Sequence, residues 1–236
     1  MTPVIVIRPE PGCSATVATA HSIGLDAEGF PLFTLMPLAW EPVDPATIDA
    51  LLIGSASALR HGGQAIEHYR HLPVHVVGEA TAAAARGAGF TVASTGVGGL
   101  QSVLDTIPLG TRLLRLAGAQ RVDLTPPAGI TITLRIVYDS QPQPMPDALC
   151  EVLGTPVVVV LHSGEAARHF AAECHRLGVE RADIHLAAMA PRIAALAGSG
   201  WASSGVARSA DETALLAIAE HLCQTLPDQT IPEVRG

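Results

Sequence analysis

Small and hydroxylated residues recur where apolar runs give way to Ala-rich stretches. Ser55 and Ser57 follow the run at 51–53, Gly78 and Thr81 follow 74–77, Gly118 follows 112–116, Ser163 follows 157–161, and Ala190 follows 184–188. Such turns open helices, and the unpaired amides and dipole of a helix start attract an anion. The chemistry on offer is the holding of carboxylates by several turns at once. Each turn taken singly is equally an ordinary N-cap, contributing about 1 kcal/mol. The repetition is what carries the anion reading. Arg8, Arg115 and Arg121 add permanent charges that grip a carboxylate with two donors, although surface solvation or a local ion pair serves at least two of them. Tyr138, one of only 2 tyrosines, offers a phenol that works as a weak general acid or else as a cross-strand packing residue.

Other chemistries find less support. His68, His71 and His75 have spacings a metal could use, but no carboxylate or cysteine pattern such as H-E-x-x-H accompanies them. The 4 cysteines are scattered without a C-x-x-C, which fits neither a zinc site nor a disulfide framework. Gly54-Ser55-Ala56-Ser57-Ala58 lacks the second glycine of a nucleophile elbow. Gly96-Val97-Gly98-Gly99 is not a dinucleotide loop. Ser209-Ala210-Asp211-Glu212 reads as a structural capping box for the last amphipathic helix.

The elements that must position these residues are strands feeding helices. Apolar residues make up 48% of the chain and aromatics 3%, so the cores are built from Ala, Val, Leu and Ile, as where helices cover parallel strands. Strand-like runs at 4–7, 51–53, 74–77, 112–116, 157–161 and 184–188 each end in a turn and lead into a helical stretch. Ligands of such sheets bind beyond the carboxyl ends of the strands. A net charge of −8 without a basic run argues against nucleic acid. The apolar runs are too short to cross a membrane, and the opening residues lack a basic leader, so a cytoplasmic location is expected.

The two halves echo each other. The stretch from Leu51 to Ala58 is matched by that from Val158 to Glu165, strand then serine turn then helix, and the stretch from Val76 to Ala84 is matched by that from Leu186 to Ala195. A duplicated α/β unit is the simplest account. The segments at about 31–39 and 130–139 alternate like half-exposed extended chain and bracket the block between them. The expected layout is a first domain from 1–35 plus 140–230, an inserted domain at 40–130, and a tail at 231–236. The two crossings would form a two-stranded linker.

With these motifs in place the chain resembles the uroporphyrinogen-III synthase family. Val6-Ile7-Arg8-Pro9 is similar to its first strand, Gly24 with Phe30-Pro31-Leu32 to its first helix exit and crossing, and Leu52-Ile53-Gly54-Ser55 to its strand-to-serine turn. Val77-Gly78-Glu79-Ala80-Thr81-Ala82 resembles its Gly-x-x-Thr helix start, Leu114 to Gly118 its fourth-strand exit, and Val137-Tyr138 its return crossing. The resemblance implies two flavodoxin-like domains with parallel sheets, joined by a two-stranded antiparallel linker. It also implies cyclisation of hydroxymethylbilane to uroporphyrinogen III by a monomer without a cofactor, with transient contact to hydroxymethylbilane synthase. Tyr138 would then be catalytic, and Arg8, Ser55, Ser57, Gly78, Thr81, Gly118, Ser163 and Ala190 would bind substrate. Two positions depart from the family. Ala190-Pro191-Arg192-Ile193 stands where many members carry Gly-Pro-Thr-Thr, and Gly164 stands where a proline is common. A non-catalytic tetrapyrrole-binding or sensor protein is the alternative, and a flavin or nucleotide enzyme ranks last for want of a phosphate loop.

Overall fold

The computed structural model describes residues 2–225; the tail expected at 231–236 lies outside them. In chain order the elements are β1 (Val4–Val6), α1 (Gly12–Ser22), β2 (Ala27–Gly29), β3 (Phe33–Pro37), β4 (Ala50–Ile53), α2 (Ala56–His61), β5 (Pro73–Val77), α3 (Glu79–Gly87), β6 (Thr91–Gly96), α4 (Leu100–Leu104), β7 (Arg112–Gly118) and β8 (Thr131–Pro142). There follow α5 (Asp147–Val152), β9 (Val157–Leu161), α6 (Gly164–Leu177), β10 (Ile184–Ala188), α7 (Pro191–Ala197), β11 (Ser203–Val206) and α8 (Glu212–Thr225). They form two compact units. Unit 1 takes the described chain up to Thr34 and again from Pro142, and unit 2 is Leu35–Gln141.

Unit 1 is built on a parallel sheet ordered β11-β10-β9-β1-β2. Its central strand, β9, is the run Val-Val-Val-Val-Leu and is buried throughout, as a strand covered on both faces must be. Alternate residues feed opposite cores. Ile5, Val157, Val159 and Leu161 pack with Phe170 of α6 and Ile193 of α7. Val4, Val6, Val158 and Val160 pack with Cys13 and Ala20 of α1 and Leu215, Leu216 and Ala219 of α8. Each fully buried Val or Leu contributes about 1.5–3 kcal/mol over its exposed state. The α6 helix is fixed at both ends: Ser163 Oγ accepts from the Ala166 amide at 3.1 Å, and Gly178 closes it in the left-handed conformation at φ 66°.

Unit 2 repeats the plan, with the sheet order β8-β7-β4-β5-β6 and β3 added beyond β8. Its central strand β4 is likewise buried at every residue. Leu51 and Ile53 face the core with Ala58 and Leu59 of α2 and Ala82 and Ala85 of α3, while Ala50 and Leu52 face Val103 and Leu104 of α4. β8 pairs in parallel with β7 from Thr131 to Tyr138, so the return crossing is also a sheet strand of unit 2. Its other neighbour is β3. The bonds flanking that pair, Gln143 N to Leu32 O and Leu38 N to Val137 O, both 2.9 Å, run in opposite order along the two strands. The pair is therefore antiparallel, and the chain leaves and re-enters unit 1 through it.

The two sheets have the same spatial plan. Setting β9, β10 and β11 on β4, β5 and β6 also sets β1 and β2 on β7 and β8, because both sheets then read identically from edge to edge. The serine caps Ser55 and Ser163 fall at the same point of this plan, each after the buried central strand. Even a side-chain pair recurs: His75 Nδ1 lies 2.8 Å from Ser94 Oγ across β5 and β6, and His185 Nδ1 lies 2.7 Å from Ser203 Oγ across β10 and β11. The echo in sequence is thus an echo of whole sheets.

Candidate active site at the carboxyl ends of the strands

A doubly wound sheet binds its ligand where consecutive strands depart to opposite sides. In unit 2 that point lies between β4 and β7, and in unit 1 between β1 and β9.

At the unit 2 point, Ser55 caps α2 by accepting from the Ser57 amide at 3.2 Å, and Ser57 sits half-buried in the first turn. Gly118 ends β7 and pairs with Tyr138 on β8, just after a shift in strand register. A Cβ on Gly118 would stand 2.6 Å from Tyr138 Cζ, 2.8 Å from Cε2 and 2.9 Å from Oη, so the absent side chain is the space that the phenol occupies. The half-buried Tyr138 ring also meets His61, at the end of α2, with centroids 5.8 Å apart. Burial, aided by the charge of Arg60, pushes His61 below the ordinary histidine range. His61 is not among the residues that sequence singles out; no motif surrounds it. On the neighbouring strand Gly78 opens α3 at φ 79°, a left-handed conformation that favours glycine. Thr81 is 6% exposed and lies on the buried side of that helix, and the Gly78 amide donates to the Gly96 carbonyl at 3.0 Å, so this turn presents neither a free hydroxyl nor the Gly78 amide itself.

Arg115 is buried on β7. Its Nη2 donates to the Val122 carbonyl at 2.7 Å while Nε has no partner, and burial together with Arg121 pushes it below the usual arginine range. Arg121 is exposed and donates to the Ala119 carbonyl at 2.9 Å.

At the unit 1 point, Ser163 caps α6, and Ala190 precedes α7 with Pro191 at its first position and no side-chain cap. A Cβ at Gly164 would meet Leu196 Cδ1 at 2.5 Å; the leucine of α7 fills the space a proline ring would claim. Arg8 stands just beyond β1. Its Nη1 donates to Thr16 Oγ1 at 3.4 Å and to Glu212 Oε2 at 3.3 Å. Glu212 also accepts from Thr16 Oγ1 at 2.5 Å and lies 3.2 Å from His162 Nε2. The capping box expected at 209–212 is therefore corrected. Asp211 caps α8 by accepting from the Ala214 amide at 2.9 Å, Ser209 bonds to Asp211, and Glu212 turns away into the Arg8 cluster. A single aspartate satisfies the helix start, which frees the glutamate.

Among the described residues no group of three or more His, Cys, Asp or Glu side chains is placed to hold a metal, and no helix is long and apolar enough to cross a membrane.

Each unit is a doubly wound α/β fold of the class that binds small molecules at the carboxyl ends of its strands, where unit 1 carries Arg8 and unit 2 carries Tyr138 beside Gly118. The chain belongs to the uroporphyrinogen-III synthase family: the family model described as uroporphyrinogen-III synthase HemD matches residues 14–217. The fold agrees with solved structures. It is similar to uroporphyrinogen-III synthetase from Helicobacter pylori 26695 at a TM-score of 0.63 and 16% identity, covering 94% of this chain and 100% of that one. It is also similar to a mutant uroporphyrinogen III synthase from the extremely thermophilic bacterium Thermus thermophilus at a TM-score of 0.54 and 14% identity, covering 95% and 100%. No curated protein is close enough in sequence to be recognised as a relative.

Proposed function

We infer that this chain is a uroporphyrinogen-III synthase, a lyase that cyclises hydroxymethylbilane with loss of water and inversion of the terminal pyrrole ring. The observation that carries this is the family match across residues 14–217, which spans both units. The non-catalytic alternative has no observation in its favour.

The substrate is a flexible linear tetrapyrrole bearing many carboxylates, and left alone it closes to the type I isomer. The enzyme's task is positioning, because a bound chain held near its reactive geometry turns an improbable ring closure into a favoured one. The helix starts at Ser55, Gly78, Ser163 and Ala190 and the guanidinium of Arg8 supply carboxylate donors, with Ser57 in the first turn of α2. Gly118 makes room for Tyr138, whose phenol donates a proton to the departing hydroxyl so that water leaves as the carbon–oxygen bond breaks. The methylene so exposed bonds to the substituted carbon of the terminal ring, giving a spiro intermediate. That intermediate opens at the older methylene bond and recloses with the ring turned around. The proton released as the pyrrole regains aromaticity restores the phenol. No step calls for a cofactor.

The test is to feed the purified chain freshly generated hydroxymethylbilane and measure the ratio of type III to type I uroporphyrin after oxidation. A large excess of type III over a protein-free control is expected. A ratio equal to the control, from folded protein, would refute the assignment.

A further inference from the structure

The duplicated unit shows that the fold does not require the cluster around Arg8. With Ser55 set on Ser163, His162 corresponds to Gly54 and Glu212 to Leu100, the first residue of α4. Strand register places Val6 beside Val160 and Arg115 beside Leu52, which sets Arg8 on Ala117. A Cβ on Gly54 would lie 3.1 Å from Leu100 Cδ2, so in unit 2 the same place is closed by an apolar contact. Unit 1 instead holds an arginine, a threonine, a glutamate and a histidine there, all partly or largely withdrawn from water. Replacing such polar groups by apolar ones is commonly neutral or stabilising, so stability does not explain them.

The geometry points to Glu212, Thr16 and His162 as positioning residues that hold the Arg8 guanidinium ready for a substrate carboxylate. The inference rests on the reading of Arg8 as a substrate ligand and extends it to the residues behind it. Only Nη1 of Arg8 is bonded to described residues. Its remaining donors lie across Gly12 at the start of α1, where a Cβ would stand 2.5 Å from Nε, 2.8 Å from Cζ and 3.0 Å from Nη2. The guanidinium thus lies against the start of α1, where Glu212 and Thr16 hold one edge of it. Glu212 is anchored in turn. His162 has a side chain only 7% exposed, and its Nε2 faces the carboxylate while its buried Nδ1 has no partner. A carboxylate only accepts, so Nε2 carries a proton and His162 donates, while burial pushes its pKa below the ordinary histidine range. The edge of Arg8 away from Glu212 is then the one left to meet an incoming anion, because the Cys13, Ser14 and Ala15 amides of α1 already donate to the Pro9 carbonyl, Glu10 Oε2 and the Pro11 carbonyl.

The test is a double-mutant cycle on the full chain with Arg8→Met, Glu212→Gln and their combination, reading KM and kcat for hydroxymethylbilane. Binding of uroporphyrin, a polycarboxylate tetrapyrrole, is followed in parallel by its fluorescence. Each single change is expected to raise KM on the order of tenfold, as loss of a charge-assisted contact does, with kcat moving far less. In the Arg8→Met background Glu212→Gln should add less than about twofold, because it acts through the arginine. Thr16→Val serves in the same cycle if Glu212→Gln does not fold. A folded Glu212→Gln protein with an unchanged KM, or effects that multiply in full, would overturn the inference while leaving the synthase assignment intact. A wild-type protein that yields no type III excess but binds uroporphyrin with the same coupling would refute the assignment and support the inference. Absence of both activity and binding would overturn both.

Discussion

Replacing Gly118 with alanine isolates the contribution of one tyrosine's position. Gly118 is not among the glycines with positive φ, so alanine adopts its backbone without strain and the whole effect falls on the neighbouring ring. The new Cβ would stand 2.6 Å from Tyr138 Cζ, against an ordinary carbon–carbon contact of about 3.5–4.0 Å. The phenol must therefore retreat by about 1 Å, and the overpacking costs about 1–3 kcal/mol of stability. A misplacement of about that size lowers rate on the order of 10²-fold when the displaced group acts on the reacting atoms. The assay is the initial rate of type III formation, with Tyr138→Phe as reference; removing a general acid costs about 10²–10⁴-fold. In the Tyr138→Phe background Gly118→Ala should cost almost nothing further, since the group it displaces is already disarmed. A folded Gly118→Ala enzyme with wild-type kcat would show that the position of Tyr138 does not matter. An undiminished loss in the Tyr138→Phe background would show that Gly118 acts by another route.

Three further outcomes test the scaffold. Glu173 accepts from Arg176 and from the Met145 amide, which hold its carboxyl down to about 2 from an ordinary 4.5. Because the folded value is the lower one, its stabilisation is complete above about pH 4.5 and disappears as pH falls toward 2. Glu173→Gln should thus lower the unfolding free energy from urea titration at neutral pH by about 1–2 kcal/mol, after discounting for the exposed arginine, and converge with wild type in acid. Tyr69→Phe removes a fully buried hydroxyl that bonds Val43 N at 2.7 Å and Val43 O at 2.6 Å. It should cost about 2 kcal/mol in denaturant titration, and an unchanged midpoint would show that water replaces the phenol. Gly178→Ala forces a side chain into the left-handed cap of α6 and should cost about 1 kcal/mol by the same measurement.

The buried parallel strands are legible because a run such as Val-Val-Val-Val-Leu, followed by a serine and an Ala-rich stretch, has few other homes than the middle of a covered sheet. The short edge strand Ala27–Gly29 carries no such signal, having one buried residue and two exposed ones. The segment at 130–139 reads as a linker in sequence. Its alternation does not reveal that β8 also lies against β7, because strand neighbours are set by partners far along the chain. The serine turns are visible for the same local reason as the strands they follow. The Arg8 cluster is not: Arg8 and Glu212 are 204 residues apart, and Ser209 to Glu212 satisfies a local capping rule that a neighbouring aspartate fulfils instead. His61 is hidden in the same way, since its contact with Tyr138 exists only once α2 is laid beside β8.

The matched sheet plans bear on how the polypeptide can be cut and rejoined. Read from β9 onward through β11 to β1 and β2, unit 1 has the strand order that unit 2 has from β4 to β8, although α1 has no counterpart between β7 and β8. A gene rearranged to start between β8 and α5, with the stretch after α8 spliced to the one before β1, would encode two head-to-tail units of the same strand order. The splice has little distance to span, since Cys223 Sγ of α8 lies 3.6 Å from the Thr2 carbonyl oxygen. The nested chain is, in this sense, a tandem repeat whose opening has been moved.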